Sequence, residues 1–202
     1  MRTPLRIIDG VAAVLPRDDV DTDQILPKQF LKGITRTGYG EHLFLDWAKQ
    51  PDFELNRPEV AGATILVSGR NFGCGSSREH AVWALLGAGF QAVVASSFGD
   101  IFRANAVKNG LVPVALPSDE LLELQARCSG GRAMTIDMER LEIRAGDVTV
   151  PFAFDAFEQH AILEGLDEIA LTLTAEHSIL EFERGYEAPF DTRATGERVN
   201  GG

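Results

Sequence analysis

The sequence contains few of the residues that build disulfide frameworks or metal centres. Only two of its 202 residues are cysteines, Cys74 and Cys128, and only four are histidines, which are scattered along the chain. Neither cysteine belongs to a CxxC pair, so no spacing typical of a zinc or iron–sulfur site is present. We therefore expect no disulfide, a reducing compartment and no metal site in this chain. Any metal that takes part would be held by another chain.

Positive charge and long apolar runs are also scarce. Lys and Arg number 19 against 30 Asp and Glu, which gives a formal net charge of −11. This field repels phosphate backbones and anionic lipid surfaces, so we expect no nucleic-acid partner and no membrane partner. No stretch approaches the roughly 20 apolar residues of a membrane-spanning helix, and the N-terminus lacks a signal-peptide layout, which predicts a cytoplasmic protein. An anionic substrate would need a local cationic pocket.

The first half of the chain has the pattern of an α/β protein. Residues 6–15 predict a strand with a bend or bulge at Gly10, and the acidic, proline-bounded residues 16–27 predict a loop. Strands and helices then alternate, which is typical of parallel βαβ pairing. The strands are predicted at residues 63–67, 92–95 and 111–116, and the helices at residues 78–86 and 98–109.

The second half of the chain has a different pattern of predicted secondary structure. A helix beginning near Ser118 is followed by short segments typical of antiparallel hairpins. The predicted strands lie at residues 135–137, 141–144 and 148–152. Two amphipathic segments, residues 155–163 and 174–186, precede a polar tail from about residue 188 that has no apolar face to pack, so we expect the tail to be disordered.

The turn after the second predicted strand carries the most chemical information. Its three glycines, Gly69, Gly73 and Gly75, permit positive φ and let a ligand approach the backbone closely. Ser76 and Glu79 have the spacing of a capping box, which predicts Ser76 as the N-cap of the following helix. The helix N-terminus would then favour an anion. In the alternative interpretation the turn is a plain connector, the serine only caps the helix, and the arginine and glutamate of its first turn are solvated.

Several familiar sites are excluded at this turn. It has no Lys-Ser/Thr of a Walker loop, no GxGxxG spacing and no GxSxG motif, which argues against an ordinary nucleotide loop and against a serine hydrolase. Cys74 beside His80 is compatible with a nucleophilic thiol. A buried structural thiol and a histidine on a helix face are the commoner outcome.

The turn also resembles a known family signature. The string GRNFGCGSSREHA at residues 69–81 is similar to the swivel-domain signature of the aconitase superfamily, and in particular to that of the small subunits of 3-isopropylmalate dehydratases. Three more segments match in order and spacing, so the resemblance covers most of residues 5–186. They are DVDTDQILPKQFL at 19–31, SSFGDIFRANAVKNGL at 96–111 and LDEIALTL at 166–173.

This resemblance implies a fold and a reaction. The fold would be a three-layer β/β/α swivel domain with a central, mostly parallel sheet, spanning residues 1–187 and followed by the tail 188–202, which lies outside the family pattern. The reaction would be the dehydration and rehydration of a dicarboxylate in leucine biosynthesis, interconverting 2-isopropylmalate and 3-isopropylmalate. A large subunit would carry a [4Fe–4S] cluster as Lewis acid, and the small subunit would be active only with that partner.

The resemblance also implies residue roles. Ser76 matches the serine whose alkoxide removes a proton from carbon, and Ser77 and Arg78 match substrate-binding positions. Asp23 matches an active-site aspartate. Residues 32–38 resemble the loop that selects the substrate side chain, with Lys32 and Arg36 as candidate cationic contacts. In the alternative interpretation, Asp23 is only a turn carboxylate, and Lys32 and Arg36 are simply solvated.

Two other functions stay open from the sequence. A related hydro-lyase small subunit would use the same chemistry on homoaconitate, citraconate or dimethylmaleate. A non-catalytic anion-binding or regulatory partner subunit would use the same turn without turnover.

Overall fold

The computed structural model describes residues 2–31, 37–76, 78–167 and 170. The chain divides into two compact units, Met1–Asp167 and Glu168–Gly202, and the fold below is that of the first. The boundary predicted at residue 187, the segment predicted at residues 174–186 and the tail 188–202 lie outside the described residues.

A seven-stranded mixed sheet forms the centre of the first unit, with strand order β4-β3-β2-β1-β5-β6-β7. Strands β1 to β4 are parallel, whereas β1 pairs with β5, β5 with β6 and β6 with β7 in antiparallel fashion. β6 therefore also runs in the direction of β1, so five of the seven strands share one direction. The strands are β1 (Ile7–Val14), β2 (Ile65–Val67), β3 (Ala92–Ala95), β4 (Val112–Ala115), β5 (Ala133–Asp137), β6 (Glu142–Ala145) and β7 (Val148–Pro151).

Helices connect the parallel strands and cover both faces of the sheet. The α-helices are α1 (Thr22–Ile25), α2 (Leu45–Ala48), α3 (Glu79–Gly87), α4 (Asp100–Asn109), α5 (Ser118–Cys128) and α6 (Ala156–Leu163). Short 3-10 helices lie at Lys28–Phe30, Gly40–His42, Glu54–Asn56 and Pro58–Val60. The alternation of strands and helices confirms the predicted α/β class. Among the described residues, no helix is long and apolar enough to cross a bilayer.

Alternate residues of the parallel strands pack in two separate hydrophobic cores. Ile65 and Val67 of β2 pack in a cluster with residues of α5 and α6, whereas Leu66 between them packs with residues of α3 and α4. This is the period-2 alternation of a sheet buried on both faces, and it explains the continuous apolar sequence of these strands. Strands β5 to β7 contribute their inner residues to the α5 cluster. α3 and α4, which frame the glycine-rich turn, therefore pack on the opposite face.

In the N-terminal region the predicted strand is present as β1, but the bulge at Gly10 and the loop over all of residues 16–27 were wrong. β1 pairs with β5 in uninterrupted register through Gly10, so no bulge interrupts this ladder. A Cβ at Gly10 would overlap the Thr64 side chain, and close approach is therefore the reason for the glycine. The predicted loop 16–27 contains helix α1, which begins with a capping box in which the Asp21 carboxylate accepts from the backbone and Gln24 bonds back to Asp21.

Candidate active site

The glycine-rich turn lies at the carboxyl end of the parallel strands. It follows β2 directly, while the segments after β1 and β3 lie on either side of it. Crevices at the carboxyl ends of parallel strands are the usual position of ligand sites in α/β proteins. The site is thus built from three loops brought together by the order of the strands.

Backbone hydrogen bonds hold the turn from both sides. On the β1 side, Gly73 N donates to Val20 O at 2.7 Å, and Thr22 N donates to Cys74 O at 3.0 Å. On the β3 side, Phe72 N donates to Ser97 O at 3.0 Å. These bonds satisfy backbone groups of the turn and hold it against the two neighbouring segments.

Gly73 is required by its environment as well as by its backbone. Its φ is +74°. A Cβ added at Gly73 would overlap the Phe102 side chain, since it would lie only 2.6 Å from Phe102 Cβ. Gly99, which precedes α4, lies close to Gly73, since a Cβ added at Gly99 would be 2.6 Å from Gly73 O. The two glycines let the loops after β2 and β3 touch, which brings the start of α4 against the turn.

The predicted capping role of Ser76 was wrong. α3 begins at Glu79, its N-cap is Arg78 with extended backbone (φ −133°, ψ 111°), and no side chain caps it. An N-cap carbonyl accepts the first bond of its helix, but Ser76 O instead accepts from Thr22 Oγ1 at 2.8 Å. Ser76 therefore precedes the helix, and its hydroxyl is not needed there as a cap.

Ser76 lines an open cleft of about 270 Å³ at this point. Gly73, Cys74 and Gly75 form one wall, and the first turn of α4 with Asp100 and Ile101 forms another. Ser76 is exposed. A larger cleft of about 530 Å³ lies beside Gly69 and Arg70 and contains none of the predicted site residues. We place the site in the smaller cleft because it contains the predicted base.

Arg78, two residues after Ser76, forms an ion pair with Asp23, the residue after Thr22. Arg78 Nη1 donates to Asp23 Oδ1, and the side chains are 17% and 33% exposed, respectively. The other carboxylate oxygen, Oδ2, lies 3.0 Å from Lys28 Nζ. Asp23 therefore bridges two cations, and the three groups together carry one net positive charge. The structure therefore brings together Asp23 and Arg78, two residues to which the resemblance assigns separate site roles.

The other aspartates of this loop have structural partners. Asp19 accepts from Arg70 Nη2 at 2.9 Å and from Asn71 Nδ2 at 2.8 Å. Asp18 accepts from Arg70 N at 2.6 Å, and Asp21 caps α1. Asp18 and Asp19 hold the loop after β1 against the turn, and among the described residues these carboxylates form no group that could hold a metal ion.

Cys74 and His80 do not have the environment of a nucleophile and its base. Burial raises the pKa of the Cys74 thiol, and the negative charges of Asp21 and Asp19 raise it further. The His80 ring packs in an aromatic group, 5.3 Å from the Tyr39 ring and 4.7 Å from the Trp83 ring between centroids. The interpretation of the cysteine as a structural thiol is therefore favoured.

Three predicted site residues, Ser77, Lys32 and Arg36, lie outside the described residues. Two further residues at the site, Thr22 and Lys28, were missed by sequence reasoning. A signal for Thr22 was available, because Asp21 and Gln24 have the capping-box spacing that places it in the first turn of a helix. No sequence pattern indicates a role for Lys28. Its contact with Asp23 depends on how the chain folds between the two residues.

The donor set of the described chain does not fit an iron–sulfur cluster. Such clusters need several cysteine ligands, and Cys128, the last residue of α5, is fully buried in the apolar core, whereas Cys74 belongs to the turn. Within the described ranges, no group of three or more His, Cys, Asp or Glu side chains is placed to hold a metal.

Comparisons with known proteins agree with the motifs. The aconitase C-terminal domain model matches residues 3–119. The 3-isopropylmalate dehydratase small subunit of Bacillus licheniformis is 50% identical over 190 residues, covering 90% of this chain and 95% of the relative. That of Rhodopirellula baltica is 51% identical over 184 residues, covering 86% and 94%. The chain belongs to the family of 3-isopropylmalate dehydratase small subunits.

A solved structure of this small-subunit family has the same fold. The crystal structure of 3-isopropylmalate dehydratase from Methanocaldococcus jannaschii is 30% identical, with a TM-score of 0.65 over 89% of this chain and 99% of that one. The predicted aconitase-type α/β fold is thereby confirmed.

Proposed function

We propose that this chain is the small subunit of a 3-isopropylmalate dehydratase, active with a large subunit in the cytoplasm and interconverting 2-isopropylmalate and 3-isopropylmalate. In the dehydration, a proton leaves one carbon and a hydroxyl leaves its neighbour, which gives an alkene. In the rehydration, water adds with the opposite regiochemistry. Family membership and the ion pair of Asp23 with Arg78, two residues after Ser76, support this proposal.

The single observation that carries it is the combination of an exposed serine, Ser76, with a paired cationic side chain two residues later, Arg78. A dicarboxylate approaching a chain of net charge −11 needs a local positive site. Arg78, held by Asp23 and only 17% exposed, supplies a guanidinium of fixed orientation that matches a carboxylate with two parallel hydrogen bonds. Ser77, and the loop residues Lys32 and Arg36, are proposed as further substrate contacts.

In this proposal Ser76 is the base. A serine hydroxyl is a poor base in water, so its alkoxide needs positive groups nearby and a site that excludes water. Arg78 follows two residues later at the N-cap of α3, whose helix dipole places partial positive charge in the same region. The open cleft does not exclude water by itself, so a partner surface must close it.

We assign the [4Fe–4S] cluster to the large subunit, since the donor set of this chain does not fit one. The cluster's chemistry would be Lewis acidity toward the departing hydroxyl. This chain would contribute the binding, orientation and proton transfer described above.

Reconstitution tests the proposed function. The chain is mixed with a 3-isopropylmalate dehydratase large subunit carrying its cluster, and turnover is measured on isopropylmalate, homoaconitate, citraconate and dimethylmaleate. We expect activity only in the mixture, with isopropylmalate preferred by kcat/KM. Preference for another dicarboxylate would assign a related hydro-lyase.

Ser76→Ala distinguishes a catalytic subunit from a passive binding partner. We expect complex formation to persist and turnover to fall by about 10³-fold or more, as is typical when a catalytic base is removed. Ser129→Ala, an exposed serine after α5, is the matched control and should leave turnover unchanged. Unchanged turnover in Ser76→Ala would remove the base from the proposal.

A further inference from the structure

We propose that Lys28 is a positioning residue that keeps the anion-binding charge of Arg78 available by sharing the Asp23 carboxylate. This inference rests on the proposed function, because it concerns the affinity of that site for a dicarboxylate. Lys28 lies outside the glycine-rich turn and is the first residue of the 3-10 helix Lys28–Phe30.

The contact geometry divides the carboxylate between two cations. Asp23 Oδ1 accepts from Arg78 Nη1, and Asp23 Oδ2 lies 3.0 Å from Lys28 Nζ. With both cations present the group has one net positive charge. Without Lys28 the remaining Arg78–Asp23 pair is neutral, and an incoming anion would compete with Asp23 for the guanidinium without any compensating attraction.

Burial separates the roles of the two cations. The Arg78 side chain is 17% exposed, whereas the Lys28 side chain is 70% exposed. An ion pair this exposed contributes little to folding stability. Its charge, however, still acts on the carboxylate that it shares with Arg78, because the 3.0 Å from Lys28 Nζ to Asp23 Oδ2 is shorter than the Debye length of about 8 Å at physiological salt.

The backbone before Lys28 is fixed, so its side chain starts from a defined place. Leu26 N donates to Thr22 O at 3.0 Å and ends α1, and Phe30 N donates to Pro27 O at 3.1 Å. Asp23 belongs to α1 itself. Lys28 and Asp23 are thus held on one short, internally bonded segment, while Arg78 arrives from the loop after β2.

Lys28→Met in the reconstituted complex tests the inference, with Lys49→Met as the matched control. Lys49 is similarly exposed, at 64%, and lies 2.8 Å from Asp46, so its loss changes the net charge equally and breaks a comparable surface pair. We expect Lys28→Met to raise KM about three- to fivefold with kcat within about twofold, in the range of an exposed charge interaction. Lys28→Arg should restore KM, and the melting temperatures of both methionine variants should match.

Salt and a double-mutant cycle identify how Lys28 acts. The KM difference should shrink at high ionic strength, because the interaction is a partly exposed charge effect. In an Asp23→Asn background, Lys28→Met should change KM by less than about twofold if Lys28 acts through Asp23. Three results would overturn the inference. They are the same change in KM from Lys28→Met in the Asp23→Asn background as in the wild-type background, an unchanged KM in Lys28→Met alone, and an equal change in KM from Lys49→Met.

Failure of the proposed function would be distinguishable. If the wild-type complex turns over but Lys28→Met behaves as wild type, only the role of Lys28 is wrong. If the wild-type complex is inactive on every dicarboxylate, the isolated chain is titrated with 3-isopropylmalate while the Arg78 Nε–H resonance is followed by NMR. Weaker binding in Lys28→Met than in Lys49→Met then supports the inference, and equal binding or none in any of the proteins overturns it.

Discussion

Thr22 Oγ1 donates a hydrogen bond of 2.8 Å to the backbone oxygen of Ser76, joining the first residue of α1 to the proposed base across 54 positions of sequence. Thr22 is 2% exposed. The bond satisfies a carbonyl that α3 does not use, and it sets the position of the serine relative to Asp23, the next residue of α1.

Thr22→Val is therefore expected to displace Ser76 while keeping the branched shape of the side chain. Removing the hydroxyl leaves a carbonyl without its donor, so the free energy of unfolding should fall by about 1–3 kcal/mol, and kcat should fall more than KM rises. Urea unfolding and steady-state kinetics of the complex measure the two effects. Thr149→Val, an exposed threonine of β7, should leave both values near wild type. Wild-type kcat in Thr22→Val would show that this bond does not position the base.

Gly73→Ala should destabilise the fold strongly. The substitution combines a backbone at φ +74° with overlap against Phe102, so we expect a loss of about 3–4 kcal/mol in the free energy of unfolding. Gly62→Ala has a matching φ of +72° but no atom within 4 Å of the added Cβ, so it isolates the backbone term of about 1 kcal/mol. Equal losses in the two variants, measured by urea unfolding, would mean that the contact with Phe102 relaxes at no cost.

Arg78→Lys should impair substrate binding even though it retains the charge. A lysine ammonium lacks the planar pair of donors that matches a carboxylate, so KM is expected to rise about 10- to 100-fold. Arg70→Lys is the control, because Arg70 lies on the same turn but is paired with Asp19. A rise in KM of similar size in both variants would point to a general disturbance of the turn.

The Cys74 thiol should be unreactive at neutral pH. Its pKa is raised by burial and by Asp21 and Asp19, so the thiolate fraction at pH 7 is smaller than that of a free cysteine and grows only as the pH is raised. We expect alkylation by iodoacetamide to be slower than that of glutathione at pH 7 and to accelerate into the alkaline range. Mass spectrometry of the modified residue reports the rate, with Cys74→Ser as the blank. Rapid alkylation at pH 7 would contradict this environment.

Cys74→Ser should also retain turnover in the reconstituted complex. The variant keeps a small polar side chain at a position whose backbone oxygen, not its sulfur, carries the contact to Thr22. Loss of turnover with an intact complex would indicate that the Cys74 thiol takes part in catalysis.

Local sequence was sufficient for elements whose signals are local. The prediction of a strand at residues 92–95 coincides with β3, and the helix predicted to end before Gly110 is α4, with Gly110 at φ +83°. Apolar periodicity and a left-handed glycine act within a few residues, so no tertiary information is needed to recognise them.

The start of α3 shows where local reasoning fails. Ser76 and Glu79 have the spacing of a capping box, yet Arg78 is the N-cap, because Thr22 from another segment takes the Ser76 carbonyl. Gly10 shows the same limit in β1, since its close neighbour is Thr64 and not a local bend. In both cases a long-range contact overrides the local preference.

The sequence by itself determined the α/β class and the family signature at residues 69–81, because each depends on residue types in a fixed local order. The proposal of Ser76 as the base follows from the resemblance that this signature carries. Only the tertiary structure decided that Asp23 bridges Arg78 and Lys28 and that Thr22 holds Ser76. Asp23 and Arg78 follow different strands, and they meet because β1 and β2 are neighbours in the sheet and end at the same edge. That adjacency is set by burial of the whole sheet between helices, which no single segment of sequence encodes.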